Sequence, residues 1–296
     1  MVLAINGIAH QCLTIKELLS NEYIISQKNS LLTDSPQIAL TDFSLFINQG
    51  EHTVLDINSN SPIQWVGTDS ATTCHIVVMY DESMVGFAHI DDPTSTHCII
   101  ESLANKLKGE ISLCVVGGFQ DDNNYSLPIS EHLLNYVCTS KDTFNVIYWS
   151  TLQLNTKIDD HKKASPLITG GAFNLKKKSF SKASFTYRGP ELELRSTWYR
   201  TSEKSINIYN QTSNCIEIPY FTFKQDPRFF HLSMATDSFL LNNCSTSPHC
   251  EPEYFCQDMR NAFYYMATSC STVVFGPLKK TVVYYMDSNG KWIKQQ

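Results

Sequence analysis

Two apolar runs, "CHIVVMY" over residues 74–80 and "MVGFAHI" over 84–90, are separated only by Asp81, Glu82 and Ser83. Short runs rich in β-branched residues and closed by a polar turn read as the two strands of an antiparallel hairpin. The hairpin commits the chain to a sheet. Further strand-like runs occupy 111–116, 144–154, 166–175, 205–209, 271–276 and 280–286. Three segments carry helical period instead. Their stripes are Ile99, Ile100, Leu103, Ala104 and Leu107; then Ile129, Leu133, Leu134 and Val137; then Phe255, Met259, Phe263 and Met266. Pro128 and Pro252 suit the first turns of the last two. Strands interleaved with helices predict a mixed α/β fold, one domain over 1–296, with helices on at least one face of a sheet. The polar stretch 156–165, "TKIDDHKKAS", reads as a surface loop.

Composition narrows the function classes. Apolar residues make up 42% of the chain, enough for a full core, and the formal charge is −6. The cationic cluster Lys176–Lys178 reads as a solvated turn, so no nucleic-acid partner is expected. No apolar run reaches the ~18–20 residues that span a bilayer, so no membrane partner is expected either. The start of the sequence has no basic segment followed by an apolar one, which argues against a secretion signal. The ten cysteines are then expected to be reduced thiols in the cytoplasm, or also the nucleus. None is in a C-x-x-C pair, so neither a disulfide framework nor a metal site is expected. Cys244, His249, Cys250 and Cys256 cluster in sequence, but at spacings unlike zinc modules. The glycosylation-like triplets at Asn210 and Asn243 are read as chance matches. No cofactor is called for, and the expected state is a monomer.

Cys74 stands where a loop meets the first hairpin strand, and His75 and His89 both follow it. Side chains alternate faces along a strand, so His75 points away from Cys74. With an even-numbered turn, residue 74 pairs with an odd-numbered residue. His89 then shares the Cys74 face, directly opposite or one diagonal away, ~4.5–8 Å apart at the backbone. A three-residue turn would put His89 on the other face. A thiol has an ordinary pKa near ~8.5, and a neighbouring imidazolium lowers it and later returns a proton to a leaving group. The Thr68 hydroxyl, six residues upstream, could orient the imidazole, with Asp69 as the alternative. A free cysteine at a strand start is also commonly a small buried hydrophobe, so the pattern by itself supports a thiol enzyme without requiring one.

Four ordered blocks add a resemblance: "GTDSATTCHIVV" (67–78), "VVGGFQDD" (115–122), "ASFTYRGPE" (183–191) and "NCSTSPHCEPEYF" (243–255). Together they resemble the protein N-terminal asparagine amidohydrolase family, from about residue 63 to 255, with a weaker match over the first sixty. The resemblance implies an α/β sandwich with helices outside the sheets and Cys74 as nucleophile. It extends to bacterial chemoreceptor glutamine deamidases and toxin deamidases. Their histidine in a G-x-A-H context corresponds to His89 in "GFAH", and their hydroxyl residue to Thr68. The implied reaction converts an N-terminal asparagine to aspartate and ammonia, with protein or peptide substrates that enter the N-end rule pathway.

Specificity for a terminus needs a group that binds the α-ammonium. Asp69, Asp121, Asp122 and Glu251 are candidates because they lie in the resembling blocks. Ser245, Thr246 and Ser247 could bind the substrate amide or backbone, or serve as helix-entry hydroxyls before Pro252. Gly117 and Gly118 could bring backbone N–H groups near the reacting carbon. Arg188 reads as a structural ion-pair residue. A side-chain deamidase acting on internal glutamine or asparagine, or a non-catalytic binding module, is the alternative.

Overall fold

A computed structural model describes residues 2–11, 13–31, 35–201 and 205–295. Its centre is an eight-stranded sheet. Across the sheet run Ile206–Asn207, Glu51–Asp56, Met84–Ile90, His75–Tyr80, Glu110–Phe119, Thr143–Leu152, Val2–Ile5 and Ile8–His10. The hairpin reading holds, with Tyr80 paired to Val85 and a four-residue turn, Asp81–Met84, closed by Asp81 N–H donating to the Met84 carbonyl at 3.0 Å. The Asp81 carboxylate accepts from the Ser83 and Met84 N–H groups at 2.6 and 2.7 Å, which fixes the turn's length.

The hairpin is buried on both faces, and the alternation sorts its side chains into two cores. Val77, Met79, Ala88 and Ile90 pack under α1 (Ile15–Leu19), α2 (Glu22–Leu31), α3 (Pro93–Ala104) and α4 (Ser126–Thr139). Ile76, Val78, Val85 and Phe87 face the opposite way. They meet Val66 and Phe173 of a second sheet, ordered Ser179–Lys182, Gly171–Asn174, Trp65–Thr68 and Ser44–Phe46. A third sheet, Tyr209–Asn210, Cys215–Ile218, Val282–Met286 and Trp292–Lys294, joins the same core through Ile216, Val282 and Trp292. The result is a layered α/β arrangement with helices outside the sheets, as expected. The rest of the chain adds α5 (Leu192–Thr201), α6 (Arg228–Ser233), α7 (Asp237–Cys244), α8 (Phe255–Thr268) and α9 (Ser271–Phe275).

All three helices expected from periodicity form, as α3, α4 and α8. Pro128 is in the first turn of α4, whereas Pro252 precedes α8 and its carbonyl accepts from Phe255 N–H at 3.0 Å. The run 271–276 is helical, not extended. One helical turn buries Phe275 and leaves Val273 75% exposed, and Gly276 ends it at φ +67°. Short apolar runs do not distinguish the two states by pattern. The run 166–175 is two strands, Ala164–Pro166 and Gly171–Asn174, broken where the Thr169 carbonyl accepts from Ala71 N–H at 2.7 Å. The run 205–209 divides too, Ile206 joining the large sheet beside Glu51 and Tyr209 joining the third sheet opposite Ile216. The polar stretch 156–165 includes a short strand, Thr156–Ile158, paired with Ala164–Pro166.

Candidate active site

The loop 69–74 crosses from the second sheet to the large one. It leaves the second sheet at Thr68, whose strand approaches its neighbour so closely that a Cβ on Gly67 would lie 2.6 Å from the Gly171 carbonyl oxygen. It enters the large sheet at Cys74, one residue before the His75–Tyr80 strand begins. His75 pairs with Ile90 and Ile76 with His89. Continuing that register places Cys74 opposite Asp91 and one diagonal from His89, on one face. This is the parity that the turn demanded.

Thr68 Oγ1 lies 2.8 Å from His89 Nδ1, with both side chains buried. The hydroxyl's own hydrogen has the Asp69 carbonyl at 3.4 Å to donate to. It therefore accepts from Nδ1–H, which leaves Nε2 as the unprotonated nitrogen. Among the described residues no group bonds Nε2, and His89 and Cys74 line one cavity of about 360 Å³. Burial holds the His89 pKa down to about 4. Burial first, then the charges of Asp91 and Glu251, push the Cys74 thiol well above its ordinary value. Both shifts run toward the uncharged forms, a thiol at Cys74 and an imidazole at His89. The expectation is an imidazolium that lowers the thiol pKa; burial instead favours the uncharged form of each group.

His75 lies across the sheet from this chemistry. Its Nε2 bonds Ser130 Oγ of α4 at 2.7 Å, and burial pushes its pKa down to about 3. Gly118, at φ +58°, passes so close that a Cβ there would meet the His75 ring at 2.4 Å. Gly117, at φ +97°, packs the same way against the Cys74 carbonyl oxygen. Neither glycine lines the cavity, so both serve close packing of the Glu110–Phe119 strand on the His75–Tyr80 strand.

Five carboxylates line the cavity, from Asp69, Asp91, Glu193, Glu251 and Asp258, against the two cations Arg188 and Arg200. Asp69 accepts from Phe185 N–H at 3.0 Å and from the Ser70 hydroxyl at 3.1 Å, so it braces the loop and does not orient His89. Burial raises its pKa. Glu251 accepts from the Ser245 hydroxyl, and burial raises its pKa as well. Thr246 Oγ1 lies 2.8 Å from Thr73 Oγ1, and Ser247 Oγ lies 2.8 Å from Thr72 Oγ1. These hydroxyls follow α7 and do not start α8. They clasp the 245–251 segment to the 69–74 loop. Arg188 pairs with Asp258 at 2.5 and 3.0 Å and stacks over Tyr254, the structural role expected for it.

Two candidates for the α-ammonium fall away. Asp121 accepts from the Tyr125 and Ser126 N–H groups at 2.9 and 3.0 Å and so caps α4, and Asp122 is exposed away from the cavity. Cys244, His249, Cys250 and Cys256 do not converge: His249 and Cys250 reach the Ala164 carbonyl, Cys256 that of Asp237, and Cys244 lines the cavity.

Sequence reading missed Asp91, which accepts from Gln49 Nε2 at 2.8 Å and from the Tyr199 hydroxyl. The parity argument that found His89 also reaches Asp91, two residues further along the same face. It also missed a buried ion pair. Arg195 of α5 binds both carboxylate oxygens of Glu51, and also the Phe46 carbonyl at 2.7 Å and the Arg188 carbonyl at 3.2 Å. The pair ties α5 to the Asn48–Gln49 wall of the cavity. It has no local signal, since its members are 144 residues apart.

Cys74, His89 and five carboxylates thus share one cavity. A family model described as protein N-terminal asparagine amidohydrolase matches residues 35–294. The chain belongs to the N-terminal asparagine amidohydrolase family, hydrolases of a linear amide. The proteins of that name from Sus scrofa and Homo sapiens are each 28% identical to it, over 84% of this chain and 82% and 83% of theirs. The Arabidopsis thaliana protein of that name is 25% identical, over 91% of this chain and 86% of its own.

Proposed function

We propose that this chain hydrolyses the side-chain amide of an N-terminal asparagine in peptides and proteins, through a thioester on Cys74. The observation that carries the reading is the Thr68–His89 bond, which leaves Nε2 unprotonated in the cavity that Cys74 lines. His89 acts as general base, taking the thiol proton as sulfur attacks the amide Cγ. The imidazolium so formed gives that proton to the departing nitrogen, and ammonia leaves. Water then attacks the thioester carbon, His89 takes its proton, and the Cys74 sulfur leaves and is reprotonated. The imidazolium exists only within the cycle, stabilised by Thr68 and the surrounding carboxylates.

Glu251 is the anchor for the substrate α-ammonium. Asp91 and Glu251, rather than Glu193 of α5, are the lining carboxylates whose charges bear on Cys74; Asp91 is held by Tyr199 and Gln49, Asp258 by Arg188, and Asp69 by two donors. Glu251 has the Ser245 hydroxyl, and a buried carboxylate with a raised pKa gains most from a cation. Thr246 and Ser245 hold the segment that presents it. The aspartate product suits a following arginyl transfer, and the reading takes the chain as a one-domain monomer of the N-end rule pathway in the cytoplasm or nucleus. The test is ammonia release from peptides that differ only in an initial Asn or Gln. The reading predicts release from Asn, at least ~1,000-fold slower release from Gln in kcat/KM, and none from Cys74→Ala. Comparable rates for Asn and Gln would favour a general side-chain deamidase.

A further inference from the structure

The cavity extends beyond Cys74 and His89 between two helices. Leu192, Ser196 and Arg200 of α5 line one side, and Phe255, Met259 and Ala262 of α8 the other. Positions four apart lie on one helical face, and the rise from 192 to 200 is about 12 Å. An extended peptide rises about 3.3 Å per residue, so this length matches three or four residues of substrate.

The two cations of the cavity are not equivalent. Arg188 is bound by Asp258 on both nitrogens. Arg200 is exposed, and among the described residues no carboxylate lies within ion-pair distance of it. Its guanidinium touches the Met259 sulfur at 3.1 Å and lies 5.9 Å from the Phe263 ring. A thioether is a weak acceptor and leaves most of the five guanidinium donors unspent. The remaining lining charges are acidic, so Arg200 is the one place in the described lining where a substrate carboxylate meets an unpaired cation.

We infer that the α5–α8 groove holds the residues following the N-terminal asparagine, and that Arg200 selects an acidic side chain among the first three of them. This rests on the amidase reading, and the experiment separates the two. Peptides starting with Asn carry Glu, Gln or Lys at position 2, 3 or 4, and kcat/KM is measured by ammonia release. For the wild-type protein at one of these positions, Glu is preferred over Lys by about fivefold or more, as for a partly exposed ion pair. The preference lies mainly in KM and shrinks as salt is added. R200E inverts the ratio and R200Q flattens it, each compared within one variant. An unchanged Glu-to-Lys ratio in both variants at all three positions, with ammonia still released from the Gln-bearing peptides, overturns the role of Arg200 and leaves the amidase reading intact. A wild-type ratio near one at every position and every salt concentration does the same without relying on a variant's folding. No ammonia from any Asn peptide with the wild-type protein overturns both.

Discussion

Thr68 decides which nitrogen of His89 is basic, so its hydroxyl should matter to rate more than to substrate binding. Thr68→Val keeps the shape but removes the acceptor 2.8 Å from Nδ1. The expected outcome is a ~10- to 100-fold fall in kcat with KM little changed, recovered in Thr68→Ser. Activity kept in Thr68→Val but lost in Thr68→Ser would mean that the methyl group, not the hydroxyl, carries the role. The buried neutral pair also makes a prediction for the free thiol. With His89 held down to about 4 and the Cys74 thiol pushed up, alkylation of Cys74 by iodoacetamide should be slow at pH 7 and still rising above pH 9. A plateau already reached near pH 6 would instead reveal a preformed thiolate–imidazolium pair. Cys74, His89 and Thr68 were legible from residue type, strand parity and the family resemblance. The depressed imidazole was not, because burial is set by sheets that pair residues far apart in sequence.

At the scale of elements, the hairpin was the most readable feature, since side-chain period and turn length together allow one register. Helix α5 was not. Its segment "LELRSTWYRT" (192–201) buries Arg195 alongside Leu194 and Trp198, so a charged residue interrupts the apolar stripe. Only its partner Glu51, on a distant strand, explains that burial. Ser245, Thr246 and Ser247 were read in part as helix-entry hydroxyls, and the structure turns two of them onto Thr72 and Thr73. Ser247→Ala strands the buried Thr72 hydroxyl and should cost about 1–3 kcal/mol by denaturant unfolding. Because Thr72 is two residues from Cys74, kcat should fall as well. In a Thr72→Val/Ser247→Ala cycle the pair should show a coupling of 0.5 kcal/mol or more, in the ~0.5–3 kcal/mol range of contacting residues. Additive effects would show that the two hydroxyls do not form a clasp.

For the whole molecule, three buried histidines set the acid limit of stability. His52, His75 and His89 have pKa values lowered to about 4, 3 and 4, from an ordinary value near 6.5. Below pH 6.5 the unfolded chain binds protons that the folded chain refuses. Stability is therefore fully present above that pH and is lost as pH falls toward 4, by up to about 1.4 kcal/mol per pH unit per histidine. Asp69 and Glu251, with raised pKa values, act in the opposite sense, since folded protein protonates them more readily, and they soften the loss in the carboxylate range. The Tm should drop steeply between pH 6.5 and 4, and His52→Gln should shallow that slope; a flat Tm over this range would contradict the buried neutral histidines. The layered architecture has one further consequence, for specificity. The central sheet supplies Cys74 and His89, the second sheet Thr68, and the 245–251 segment Glu251, so the thiol and the α-ammonium anchor are held by different parts of the fold. The substrate is then gripped at two points in the proposed reaction, the reacting carbon against Cys74 and the α-ammonium against Glu251. Ammonia release from an Asn-initiated peptide and from its Nα-acetylated twin tests that grip most directly. The account predicts turnover of the free peptide and a loss of at least ~100-fold in kcat/KM on acetylation. Equal turnover of the two would contradict it.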